Sequence, residues 1–161
     1  MSTRHLLSAA LLVAAAAAWG GAASAEISRG VMTAFKGELI LTKGELPEGK
    51  TEKETIAKIK AERLKELTGD PKGDVMSWHF RYTGFLSKTG SSVLKLEFYT
   101  NDKEKKFVAD QRLDGVDPKS AVVSGEITID EDEGLSKGRP YLIKLVNDKD
   151  AVVASTPLVM K

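Results

Sequence analysis

Met76-Ser77-Trp78-His79-Phe80-Arg81-Tyr82-Thr83 decides the fold class of this chain. An extended backbone sends successive side chains to opposite faces. Met76, Trp78, Phe80 and Tyr82 therefore share one face, and Ser77, His79, Arg81 and Thr83 share the other. One apolar and one polar face make a half-buried strand. The aromatic row lies on the same face as Met76, so it reads as core rather than as a surface for sugars or proline-rich peptides.

The same alternation spreads outward from this segment. In residues 93–100, Leu94, Leu96 and Phe98 alternate with Lys95 and Glu97. The polar stretch 87–92, with Gly90 inside it, reads as the turn joining the two runs into a hairpin. Residues 121–129 place Ala121, Val123, Gly125, Ile127 and Ile129 on one side. Residues 141–146 and 151–160 flank Asn147-Asp148-Lys149-Asp150 as a second hairpin. A weaker strand covers 107–113, and another covers 31–42 with Gly37 as a bulge. Seven strands separated by turn residues predict a mostly β protein, a single antiparallel β-sandwich.

Residues 51–68 interrupt this pattern with a helical insertion between the first two strands. Thr51-Glu52-Lys53-Glu54 fits a capping box, and Gly69-Asp70-Pro71 stops the run, so a helix is expected over 52–67. Its apolar arc of Ile56, Ile59, Leu64 and Leu67 also takes in Lys60 and Arg63. The helix is expected to lie against the body with these basic stems flattened on apolar surface.

The first 25 residues read as an address. Arg4 and His5 precede an apolar run, 6–19, and Ala23-Ser24-Ala25 supplies the small residues of a signal-peptidase site. The run is shorter than the roughly 20 residues that span a bilayer. The expected organisation is a cleaved secretory signal over 1–25 and one sandwich domain over 26–161, in the periplasm or outside the cell. No later stretch reads as a membrane span.

The sequence has 161 residues, with 24 basic and 23 acidic side chains. Arg4 is the one Lys or Arg in the address and no acid accompanies it, so the remainder is balanced in charge. Nothing in that balance favours nucleic acid as a partner. The chain has no cysteine, which excludes disulfides, thiolate metal sites and Cys nucleophiles.

Leu135-Ser136-Lys137-Gly138-Arg139-Pro140-Tyr141, followed by the strand 142–146, resembles the tyrosine-corner segment of fibronectin type III domains. The resemblance covers about 12 residues, with Lys137 where that family usually has proline. It implies an immunoglobulin or fibronectin III-like sandwich in which the Tyr141 hydroxyl reaches back to the backbone. It implies no function, because sandwiches host many. Alternating strand directions would gather loops 43–74, 101–106 and 131–139 at one end, and 87–92, 113–119 and 147–150 at the other.

No GxSxG, HExxH, phosphate-binding glycine loop or CxxC appears, and no cofactor is expected. His79 sits between Ser77 and Arg81 on a strand's polar face, without a triad. The expected function is therefore non-catalytic: a protein-binding or structural module of the cell envelope. Loop residues Lys88, Thr89, Asp148 and Lys149 are its expected contacts, and another envelope or extracellular protein is its expected partner. The oligomeric state is left open. The alternative is a small periplasmic protein that binds a ligand or calcium through its loops. Asp130 and Asp132 of the acidic run 130–133 are then the metal candidates, and Asp114, Asp117, Asp148 and Asp150 form a second acidic group.

Overall fold

A computed structural model describes residues 26–161. The expected export segment, 1–25, lies outside the described residues. Among the described residues, nine strands form two facing sheets. In the first, β4 (Val75–Phe85) is central. It pairs antiparallel with β7 (Val122–Asp130) along one edge, and with β1 (Leu39–Thr42) and β3 (Asp70–Lys72) on the other. The second sheet has the order β2 (Glu66–Leu67), β9 (Val152–Met160), β8 (Pro140–Asn147), β5 (Val93–Thr100), β6 (Phe107–Asp114).

The alternation in the sequence becomes the core. Trp78, Phe80 and Tyr82 of β4, with Leu39, Leu41, Ile127 and Ile129, face Leu94, Leu96, Phe98, Ile143, Leu145 and Leu158 across the sandwich. These side chains are buried, and their transfer from water is the main stabilising term in a chain without disulfides. The tyrosine corner forms as expected. Ser136 N–H donates to the Tyr141 hydroxyl at 2.8 Å, with Leu135 and Tyr141 both buried. Gly138 turns at φ +80° and donates its N–H to Met160 O at 2.7 Å. The fold of the described residues is a two-sheet β-sandwich.

Several expectations are corrected. The described chain has nine strands, not seven, and β2 runs parallel to β9, so the sandwich is not wholly antiparallel. β4 and β5 are not a hairpin. Each has one apolar face, and the two faces meet across the core, so the 86–92 connection crosses between sheets.

The strand expected over 31–42 begins only at Leu39. Before it, α1 (Arg29–Ala34) is capped by the Ser28 hydroxyl, which accepts from Val31 N–H at 3.4 Å. Val31 and Phe35, four residues apart, pack with Ile40, Ile59 and Phe85 in a second apolar cluster on the outer face of the first sheet. Gly37, at φ +81°, is the turn between α1 and β1.

The insertion helix α2 spans Glu52–Glu62, capped by Thr51, whose hydroxyl accepts from Glu54 N–H at 3.2 Å. It stops five residues short of the expected end because β9 has an edge to fill. Leu64 N–H donates to Leu41 O, Lys65 O accepts from Val159 N–H, and Leu67 is buried beside Met160. Backbone pairing here overrides helix propensity. The 43–74 connection therefore divides: α2 packs against α1 on the outer face, while β2 and β3 run at the end that holds 131–139. No helix among the described residues is long and apolar enough to cross a membrane.

Candidate functional site

The outer face of the five-stranded sheet is built by the residues that alternate with the core. Register places Tyr99 of β5 opposite Phe107 of β6 and Leu142 of β8, and Leu142 opposite Pro157 of β9. Phe107, Tyr99, Leu142 and Pro157 thus form one apolar row across four strands. Phe107 is 55% exposed and Val152, paired with Val146 on the same sheet, is 52% exposed. These are the large hydrophobic side chains that the described residues leave open to solvent.

The row is rigidly held. The Tyr99 and Phe107 rings meet edge to face, with centroids 5.7 Å apart and planes at 77°. Lys144 Nζ lies 4.0 Å above the centre of the Tyr99 ring, a cation–π contact that also covers one ring face. The Tyr99 hydroxyl donates to Glu97 Oε2 at 2.8 Å, and this bond, followed by burial, raises the Tyr99 pKa above its ordinary value. Glu97 is only 9% exposed and also faces Lys95 Nζ at 3.9 Å. A charged row, Asp110–Glu97–Lys144, runs beside the apolar one by register. A surface of this kind, with fixed aromatics beside paired charges, suits contact with another folded surface.

At its β9 end the row opens into a groove of about 490 Å³. The groove follows an unpaired stretch of the β9 edge. Ser155 N–H is taken by Gly37 O and Val159 N–H by Lys65 O, and between them Pro157 has no N–H to offer. Arg63 and Glu38 form an ion pair of 2.6 Å on its wall. A smaller cleft of about 250 Å³ lies between the α1 and α2 starts, where Glu52 Oε2 accepts from Ser28 Oγ at 2.6 Å and Gly30 N–H at 3.1 Å.

The expected contact residues fall at one end of the sandwich. Lys88, Asp148 and Lys149 are exposed, and Gly90 comes within reach of Asn147, so the two loops adjoin. Thr89 is the correction. It is 0% exposed, its hydroxyl donates to Asp117 O at 2.6 Å, and its N–H donates to Ser120 O at 2.9 Å. Thr89 stitches loop 86–92 to loop 115–121 and offers nothing to a partner.

Three oxygens of the acidic run accept from the protein's own donors, while Asp130 Oδ1 is buried without a hydrogen-bond partner among the described residues. Asp130 Oδ2 accepts from Lys72 Nζ at 2.9 Å, Glu131 Oε2 from Met76 N–H at 3.2 Å, and Glu133 Oε1 from Asp130 N–H at 3.0 Å. Asp132 lies exposed beside them. At the other end, Asp114 pairs with Arg112 at 2.9 Å, Asp117 accepts from Lys119 N–H, and Asp150 approaches Lys95. Among the described residues no group of three or more His, Asp or Glu side chains converges to hold a metal. His79 Nδ1 meets Thr128 Oγ1 at 2.9 Å across the β4–β7 ladder. That neighbour is invisible until the register is known.

The Ser77 hydroxyl, then Lys72, hold the Asp130 carboxyl below its ordinary value, and Asp130 in turn raises the pKa of Lys72. A depressed carboxylate contributes stability that is complete above the ordinary aspartate value, about 3.9, and is lost as pH falls through the lower folded value. A raised lysine contributes fully at neutral pH and loses its share only as pH climbs through the raised value. Urea melts of Asp130→Asn against the wild type should therefore differ at neutral pH and converge on acidification. A constant difference at every pH would remove this pair as the source.

No protein-family model matches the chain, and no curated protein matches it. Among solved structures, an immunoglobulin-like protein from Pseudomonas aeruginosa is similar at 12% identity, over 79% of this chain and 94% of that one, with a TM-score of 0.41.

Proposed function

We propose that the chain is an exported, non-catalytic immunoglobulin-like module that binds another protein of the cell envelope or extracellular space through the outer face of its five-stranded sheet. The observation that carries this reading is the row Phe107–Tyr99–Leu142–Pro157, apolar and open on a rigid sheet where a monomer would be expected to place polar side chains. Export rests on the composition of residues 1–25, and N-terminal sequencing of protein recovered from a bacterial periplasm should find Glu26 first.

The binding test compares two variants in cross-linking to envelope proteins. Phe107→Asp introduces a charge at the β6 end of the apolar row, on an exposed side chain outside the core. It should abolish a cross-linked species that Lys88→Ala/Asp148→Ala retains. A species lost in the loop variant and kept in Phe107→Asp would move the contact to the loops. Equal capture by all three would remove both surfaces. Truncating an exposed interface aromatic commonly costs about 2 kcal/mol or more of binding, a loss of roughly thirtyfold.

A further inference from the structure

We infer that β6 is the edge through which two copies of this chain associate, pairing antiparallel about Gln111 to join their five-stranded sheets into one. The inference goes beyond the face proposed above: it concerns the backbone edge of β6 and is tested on the chain alone, although Asp110 borders that face.

Other strand edges among the described residues are filled, blocked or, for β7, capped at both ends. The β9 edge is covered by β2 and by the Gly37 bond, with Pro157 between. β1 takes the Leu64 N–H, and β3 is three residues long with Pro71 at its middle. β7 is closed at both ends by its own side chains: Ser120 Oγ accepts from Val122 N–H and Glu133 Oε1 from Asp130 N–H. β6 is eight residues long, with neither proline nor glycine, and no strand lies on its outer side. The 131–139 loop comes close to it at Val108, beside Gly134. A long, regular, open edge is a template for another strand.

The bonds at its ends show which backbone groups are free. Thr100 N–H donates to Lys106 O, and Val116 N–H to Ser92 O. The register shift near Phe98 and Tyr99 then makes Ala109, Gln111 and Leu113 the residues bonded to β5, and turns the N–H and C=O of Asp110 and Arg112 outward.

Charge complementarity selects the occupant and the register. Centred on Gln111, antiparallel pairing of two β6 strands sets Asp110 opposite Arg112 of a second copy, and Arg112 opposite its Asp110. Four backbone hydrogen bonds then flank two unlike-charge pairs, while Ala109 meets Leu113 on the core side, where both already pack against the main cluster. Sliding one step either way centres the pair on Asp110 or on Arg112 and brings like charges together, which disfavours those registers. β7 has no such pattern: Ser124, Glu126 and Thr128 offer a single sign of charge.

Sedimentation of the purified protein from about 10 µM to about 1 mM should show a concentration-dependent dimer, weak because edge pairing buries little surface. Asp110→Arg and Arg112→Asp should each weaken it about tenfold or more, and the double exchange Asp110→Arg/Arg112→Asp should restore it. Arg112→Pro removes an N–H that β5 does not use, so it should abolish the dimer while leaving the monomer folded by circular dichroism. A monomer at every concentration overturns the proposal and leaves the edge to an extended segment of a different protein. A dimer indifferent to these changes, or a double exchange no better than the singles, overturns it as well.

Discussion

Replacing Trp78 by alanine is expected to remove about 3–5 kcal/mol of folding stability, the range for deleting a buried aromatic side chain. Trp78 is fully buried in the main cluster between the sheets. Its Nε1–H also donates to Lys161 O at 3.2 Å, and that same carbonyl accepts from Gly69 N–H at 2.8 Å. One side chain thus fills the core and ties the C-terminal end of β9 to the chain leaving β2. Gly69 backs directly onto the ring: a Cβ there would stand 2.8 Å from Nε1. Domains of this size are stable by about 5–15 kcal/mol in total, so Trp78→Ala should lower the melting temperature by on the order of 10 °C. Trp78→Phe keeps most of the packing and loses the donor, so it should cost about 1–2 kcal/mol. Urea denaturation of the three proteins gives the comparison. Equal losses for Ala and Phe would mean that the hydrogen bond, not the packing, is what matters at this position.

The importance of Trp78 was readable from the sequence because it lies in the middle of a run whose period is unbroken for eight residues. The same holds for Leu94, Leu96 and Phe98, for Ile127 and Ile129, and for the 147–150 turn. What escaped reading was of two kinds. β2 and β3 have two and three residues, too few to display a period, and they exist because β9 and β4 present edges to them. α1 is hidden in the sequence because Val31 and Phe35 run on into the apolar stretch of the strand expected over 31–42, although their spacing of four is helical.

The candidate site was illegible for a different reason. Phe107, Tyr99, Leu142 and Pro157 come from four strands, and they become one row only when the register is fixed. Each alone is an unremarkable exposed or half-exposed apolar residue. The loop residues were easier to nominate, since turns are legible, but Thr89 shows the limit of that rule. A polar residue in a turn is as apt to bond the backbone of the next loop as to meet a partner.

The second large effect is expected at the tyrosine corner. Tyr141→Phe keeps the ring, its volume and its burial, and removes only the hydroxyl that accepts from Ser136 N–H at 2.8 Å. The amide of Ser136 is partly shielded between the short 3-10 turn at 131–133 and β8, and no other acceptor for it stands among the bonds of that turn. Leaving a buried or half-buried donor unpaired costs about 1–3 kcal/mol. The loss should appear in the urea midpoint with an unchanged slope, because the surface exposed on unfolding is the same. Tyr141→Ala would add the cavity of a fully buried ring, for about 3–5 kcal/mol in all. The interval between the two variants then measures packing, and the first step alone measures the corner. If Tyr141→Phe unfolds at the wild-type midpoint, the Ser136 amide is satisfied by water in its place. The corner would then be a consequence of the crossover between sheets rather than one of its supports.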